Sequence, residues 1–263
     1  MKKAVIIFKK EIKEIIKNKN IWLPVLIVVI IFSVAMPMAF ILGSVPILED
    51  EDTMNFINKA FGSVDDPLKV LIDFILKQLI ILLLLIPAMV PSLIAPSSVL
   101  MEKENKTLEP LLATPVRTSE LLLGKTLTAL VPSFITSTIC FIILTVVVDI
   151  TAFIKLGYLP LPTIEWLIVA FILSPILSFI ITMLSIIVSS KSTDIKGAQG
   201  IGSMVILPIY LVIGLQLAGI FLINIAYLLI GCLVLLAFCP LFLKLAVKVF
   251  DRENIITKWK MKT

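Results

Sequence analysis

Five long stretches of this chain carry no charged side chain: Ile21–Leu48, Gln78–Met101, Thr126–Val148, Trp166–Ser190 and Gly197–Leu243. A helix that crosses a bilayer needs about 20 apolar residues, and each of the first four stretches is long enough for one. The fifth is about twice that length and must turn once, most simply near Gly219–Asn224. With 59% hydrophobic residues and a mean hydropathy of +1.13, the chain has far more apolar surface than a soluble domain of this size can bury. The expected fold is an all-α membrane protein. It has six transmembrane helices, an N-terminal amphipathic interfacial helix and one short cytoplasmic helix. The spans are expected at about 21–44, 74–101, 125–148, 164–190, 198–218 and 224–247.

An even number of spans leaves both termini on one side, and charge says which. Residues 1–20, 102–125, 191–196 and 244–263 hold 19 of the 23 Lys and Arg, while Lys59, Lys69, Lys77 and Lys155 fall on the other face. The positive-inside rule places the first set in the cytoplasm, in a cell (plasma) membrane crossed several times. The net charge of +5 is thus a topology signal, and nucleic acid is not an expected partner because the cations flank apolar spans. The expected organisation is a cytoplasmic amphipathic helix at 1–20, a six-helix domain at 21–247 with a loop at 102–120, and a basic cytoplasmic tail at 248–263.

Residues 2–17 place Val5, Phe8, Ile12, Ile15 and Ile16 at helical spacing with lysines between, which suits a basic helix lying on the inner leaflet. Trp22 and Trp259 suit the inner interface, and Tyr158, Trp166 and Tyr227 the outer one. Residues 44–73 form an acidic outer loop whose scattered carboxylates do not make a calcium cage. Span two holds Pro87, Pro91 and Pro96, a density that suits bent helices whose freed carbonyls find partners within the protein. On span four, Ser174, Ser178, Thr182, Ser185 and Ser189 share one face. Such a face either packs closely against other helices or lines a polar conduit, and packing is the expected role.

The absence of histidine removes hydrolytic triads and His-based metal motifs. No acidic residue lies deep in a span, which argues against a proton relay. Cys140, Cys232 and Cys239 all fall inside spans and do not suggest a disulfide framework. Gly124-Lys125-Thr126 looks like the end of a phosphate loop, but Ser119 stands where its first glycine belongs and Leu121-Leu122-Leu123 fills its middle. Lys125 is expected to close the inner end of span three. The Asn105-Lys106-Thr107 sequon faces the cytoplasm and is not expected to carry a glycan. No catalytic residue, metal ligand or cofactor is expected in this chain.

The segment between spans two and three is the most telling. It reads Glu102-Lys103-Glu104-Asn105-Lys106-Thr107-Leu108-Glu109-Pro110-Leu111-Leu112-Ala113-Thr114-Pro115. Thr107 can cap a short helix with Glu109 and Pro110 in its first turn, and Leu108, Leu111 and Leu112 give it an apolar face. Its acidic character suits protein docking better than a membrane surface. The segment, with the Leu-Gly-Lys at 123–125 and the basic amphipathic start, resembles the ABC-2 type transporter permeases. One departure is Lys106, where many members have glycine. The resemblance implies the membrane subunit of an ABC exporter, dimeric with a second copy or a paralogue. A separate ATPase subunit would carry the ATP, and the exported substrate is not legible. It also implies that Glu102, Glu104, Thr107, Glu109, Leu111 and Leu112 carry the coupling. Two other readings suit the same architecture: a stand-alone ion-coupled carrier or channel, and a non-transporting membrane scaffold.

Overall fold

The computed structural model describes residues 2–47, 67–104, 118–191, 195–204, 206–217 and 224–249, and every regular element among them is helical. The first helix, α1, spans Lys2–Lys17. Two further helices, α2 (Lys19–Ile30) and α3 (Met36–Ile47), are joined by a π-helical turn over Ile31–Ala35. Next come α4 (Pro67–Leu83), α5 (Leu85–Glu104) and the 39-residue α6 (Thr118–Leu156). A short α7 (Ile164–Ile168) runs through a second π turn, Val169–Leu173, into α8 (Ser174–Lys191). The remaining helices are α9 (Ile195–Met204), α10 (Leu207–Leu217) and α11 (Ile225–Val249).

Five continuous helical segments are long and apolar enough to cross a membrane: Ile21–Gly43, Ile72–Ser98, Glu120–Ile154, Ile164–Ser190 and Ile225–Val249. The chain is a multi-pass membrane protein. The expected span at 198–218 falls on α9 and α10, and neither is long enough alone. Both lie along span two. Gln199 donates to the Ser97 hydroxyl at 3.0 Å, and Gln216 donates to the Lys77 carbonyl at 2.7 Å. The chain thus advances from 199 to 216 as its neighbour runs back from 97 to 77.

Proline shapes the spans. It offers no N–H to the carbonyl four residues earlier, and its ring crowds that carbonyl. Pro37 stands four residues after Ser33, and Pro175 four after Phe171. Both carbonyls lie inside the two π turns, so each turn follows from a proline just beyond it. Pro87 likewise frees the Leu83 carbonyl where α4 gives way to α5. The far end of α6 stops at Gly157, whose φ of 73° suits a residue without Cβ and whose N–H donates to Phe153 O at 3.0 Å. At about 1.5 Å per residue, α6 is near 58 Å long, well beyond a bilayer core of about 30 Å. The expected span at 125–148 is therefore only its middle part.

Span two forms the centre of the bundle, with Ile80, Ile86, Ala88 and Ile94 buried against α6, α8 and α9. Trp166, expected at an interface, is instead buried in this core with its ring centroid 6.4 Å from that of Phe141. Trp22 keeps a polar tie, donating its indole N–H to Ile15 O at 3.1 Å.

Candidate functional site

α1 rests on protein as well as offering an apolar side outward. Its buried positions are Ala4, Glu11 and Ile15, while Val5, Ile6 and Ile16 are exposed. The contact is with the first turns of α6. It is close because residue 124 is glycine: a Cβ there would lie 2.9 Å from Ile7 Cγ2 and 3.1 Å from Ala4 O. The next residue, Lys125, is almost completely buried at 1% exposure. A lysine there requires anionic partners.

It has two. Lys125 Nζ lies 2.7 Å from Glu11 Oε1 and 2.8 Å from Glu102 Oε2. It also donates to the Ser98 carbonyl at 3.2 Å and the Ser98 hydroxyl at 3.1 Å. The Ser98 hydroxyl in turn donates to Glu11 Oε2 at 3.0 Å. One ammonium thus joins α1, the end of span two and the start of α6. Two carboxylates share that ammonium, and the Lys10 charge also acts on Glu102. Burial pushes the Glu102 carboxyl above its ordinary value, and the Lys125 charge opposes the rise. This set of groups suits a mechanical tie rather than bond chemistry. Among the described residues, no three His, Cys, Asp or Glu side chains are grouped to hold a metal ion.

Of the residues expected to couple, Glu102 turns inward into this cluster. Glu104 ends α5, and its side chain lies outside the described residues, as do Thr107, Glu109, Leu111 and Leu112. In sequence the segment they belong to joins α5, which carries Glu102, to α6, which carries Lys125. Two ends of one loop are thereby held at a single point, with α1 bound to the same point. Glu11 was not legible as a site residue. Its signal was an acidic position seven residues after Ala4 and four before Ile15, on the face that packs.

The hydroxyl face of span four meets spans two and three. Pro91 cannot donate to the Pro87 carbonyl, and that carbonyl accepts instead from Ser178 Oγ at 2.9 Å and Ser133 Oγ at 3.3 Å. Ser133 and Ser178 are themselves 2.8 Å apart, and Ser137 and Ser174 2.9 Å. Thr182 donates to Ser178 O at 2.7 Å, and Ser189 to Ile186 O at 3.2 Å. Ser185 is fully buried beside Gly202, where a Cβ would stand 3.8 Å from its hydroxyl.

A family model described as ABC-2 family transporter protein matches residues 5–231 of the chain. No curated protein matches it.

Proposed function

From the premise that this chain belongs to the ABC-2 family of transporter proteins, we propose that it is a permease subunit driven by a separate ATPase that docks on the segment following Glu102. The observation that carries this reading is the Glu11–Lys125–Glu102 tie. A push on the 102–120 loop meets no slack at its ends. It passes at once to span two, to α6 and to α1. Glu104, Thr107, Glu109, Leu111 and Leu112 offer the contact surface, and Glu102 anchors it from within. ATP belongs to the partner.

The finer reading has six spans, with α9 and α10 making one crossing together. Their antiparallel course beside span two, from Gln199 to Gln216, supports it. Both termini then lie in the cytoplasm of a plasma-membrane protein, and the permease works as a dimer, exporting its substrate. Ser174, Ser178, Thr182 and Ser185 serve packing in this reading, since the hydroxyls of Ser174 and Ser178 are committed to neighbouring helices.

The test uses the chain co-expressed with its ATPase. Glu109→Lys and Leu111→Asp are expected to abolish co-purification of the two subunits and leave membrane insertion intact. Wild-type co-purification and wild-type ATP hydrolysis in both variants would reject the docking role and favour a permease that works alone.

A further inference from the structure

An apolar cavity of about 460 Å³ opens between α8, α10 and α11, with the α4–α5 junction behind it. Its floor includes Leu177 and Ile181 of α8, and its outer wall Leu228, Leu235 and Phe238 of α11. Among its described lining residues only Tyr227 carries a polar side-chain atom. Pockets of this volume normally hold small molecules and orient them with a few polar groups. Among the described residues such groups are missing beyond Tyr227, so the complementary ligand has no polar feature along most of its length.

We propose that this cavity holds one acyl chain of a bilayer phospholipid. Water gains too few hydrogen-bond partners in an apolar space to occupy it, and an empty space forfeits the dispersion contacts of its walls. The medium around these helices is hydrocarbon. The cavity opens sideways toward that medium, because Val212 and Phe238 on its rim are 36% and 47% exposed. Its lining on α11 runs from Tyr227 to Phe242, about 22 Å at 1.5 Å per residue. That exceeds one leaflet of hydrocarbon, about 15 Å. A whole partner helix cannot enter it. A helix about 10 Å across and as long as the cavity has several times its volume. A single acyl chain is narrow enough to enter, and the lining is long enough to take it through the depth of one leaflet. Tyr227, exposed at one end, suits the level of the headgroup.

Gly231 supplies an independent handle. It lines the cavity, and a Cβ built there meets no atom of the described residues within 4 Å. A large side chain at 231 would enter the space meant for the chain. Gly214 on α10 is equally open but lies outside the lining.

The experiment places the purified protein in phosphatidylcholine nanodiscs doped with a phosphatidylcholine that carries a photoactivatable diazirine midway along one acyl chain. A parallel arm uses the free fatty acid with the same diazirine. Labelled residues are mapped by mass spectrometry. The phospholipid probe is expected to label the α8 and α11 cavity walls of the wild type. Gly231→Phe is expected to lower that labelling at least tenfold while lipid-facing labelling elsewhere on α11 persists, and Gly214→Phe to leave it unchanged. Gly231→Leu is the smaller filler should the phenylalanine prevent folding. Equal cavity labelling in the wild type and the filled variants would overturn the proposal. So would labelling by the fatty acid alone, which indicates a free amphiphile. Absence of cavity labelling, or a copy-to-copy cross-link through Gly231→Cys in its place, would overturn it as well.

Discussion

Lys125 neutralises part of a buried double negative charge, and its removal leaves Glu11 and Glu102 facing each other without it. Breaking a buried ion pair by deleting one partner typically costs about 3–5 kcal/mol, whereas replacing all the charges by neutral groups costs much less. Lys125→Met is therefore expected to lower the melting temperature of the detergent-purified protein sharply. Adding Glu11→Gln and Glu102→Gln to it should recover most of the loss. A triple variant no more stable than Lys125→Met would show that the charges do not act as one unit. The cluster also has a pH signature. The Glu102 carboxyl is raised from 4.5 by burial, so the fold favours its protonated form. That contribution is complete below the ordinary carboxylate value and is lost as the pH rises through the higher folded value. Melting temperatures taken across that window should decline with rising pH, and Glu102→Gln should flatten the decline. A rise in its place would contradict the raised carboxyl.

At the scale of elements, two contacts decide how the helices meet. The Pro87 carbonyl accepts from Ser178 and Ser133 because Pro91 cannot serve it. Pro91→Ala restores a helical donor, so the serine bonds should matter less in that background. Ser178→Ala alone is expected to cost about 0.6 kcal/mol, the average for such bonds in membranes. The same change in Pro91→Ala should cost measurably less, a coupling that a double-mutant cycle resolves. Strict additivity would mean that the proline and the serines are unrelated. The second contact is the close approach of α1 to α6. Gly124→Val places side-chain atoms where Ile7 and the Ala4 carbonyl already stand. Overpacking of this kind typically costs about 1–3 kcal/mol. The variant should free α1 to limited proteolysis near Lys9 and Lys10 while the remaining spans stay protected. Unchanged cleavage would show that α1 tolerates the displacement.

For the whole molecule, the charge division predicts which way it faces. In a background without Cys140, Cys232 and Cys239, Asp66→Cys is expected to react with an impermeant thiol reagent in intact cells. Lys106→Cys is expected to react only after permeabilisation. This follows from the 19-to-4 division of the Lys and Arg residues. The reverse pattern, or equal labelling, would reject the orientation with both termini inside.

Uncharged length and charge asymmetry are properties of the chain itself, and a bilayer reads them directly. For that reason the helical class and the presence of several helices long and apolar enough to cross a membrane were legible before any packing was known. The periodicity of Ser174, Ser178 and Thr182 marked one face in the same way. Their partners could not be read, because Pro87 lies 91 residues from Ser178 and Glu11 lies 114 from Lys125. Nor could the burial of Trp166 be read, since an aromatic near a span end looks the same whether it faces headgroups or a neighbour such as Phe141. The length of each helix is set locally, by hydropathy and proline. Which buried charge meets which, and where space is left for a lipid chain, depends on side chains far apart in sequence, and only the packed bundle brings them within bonding distance.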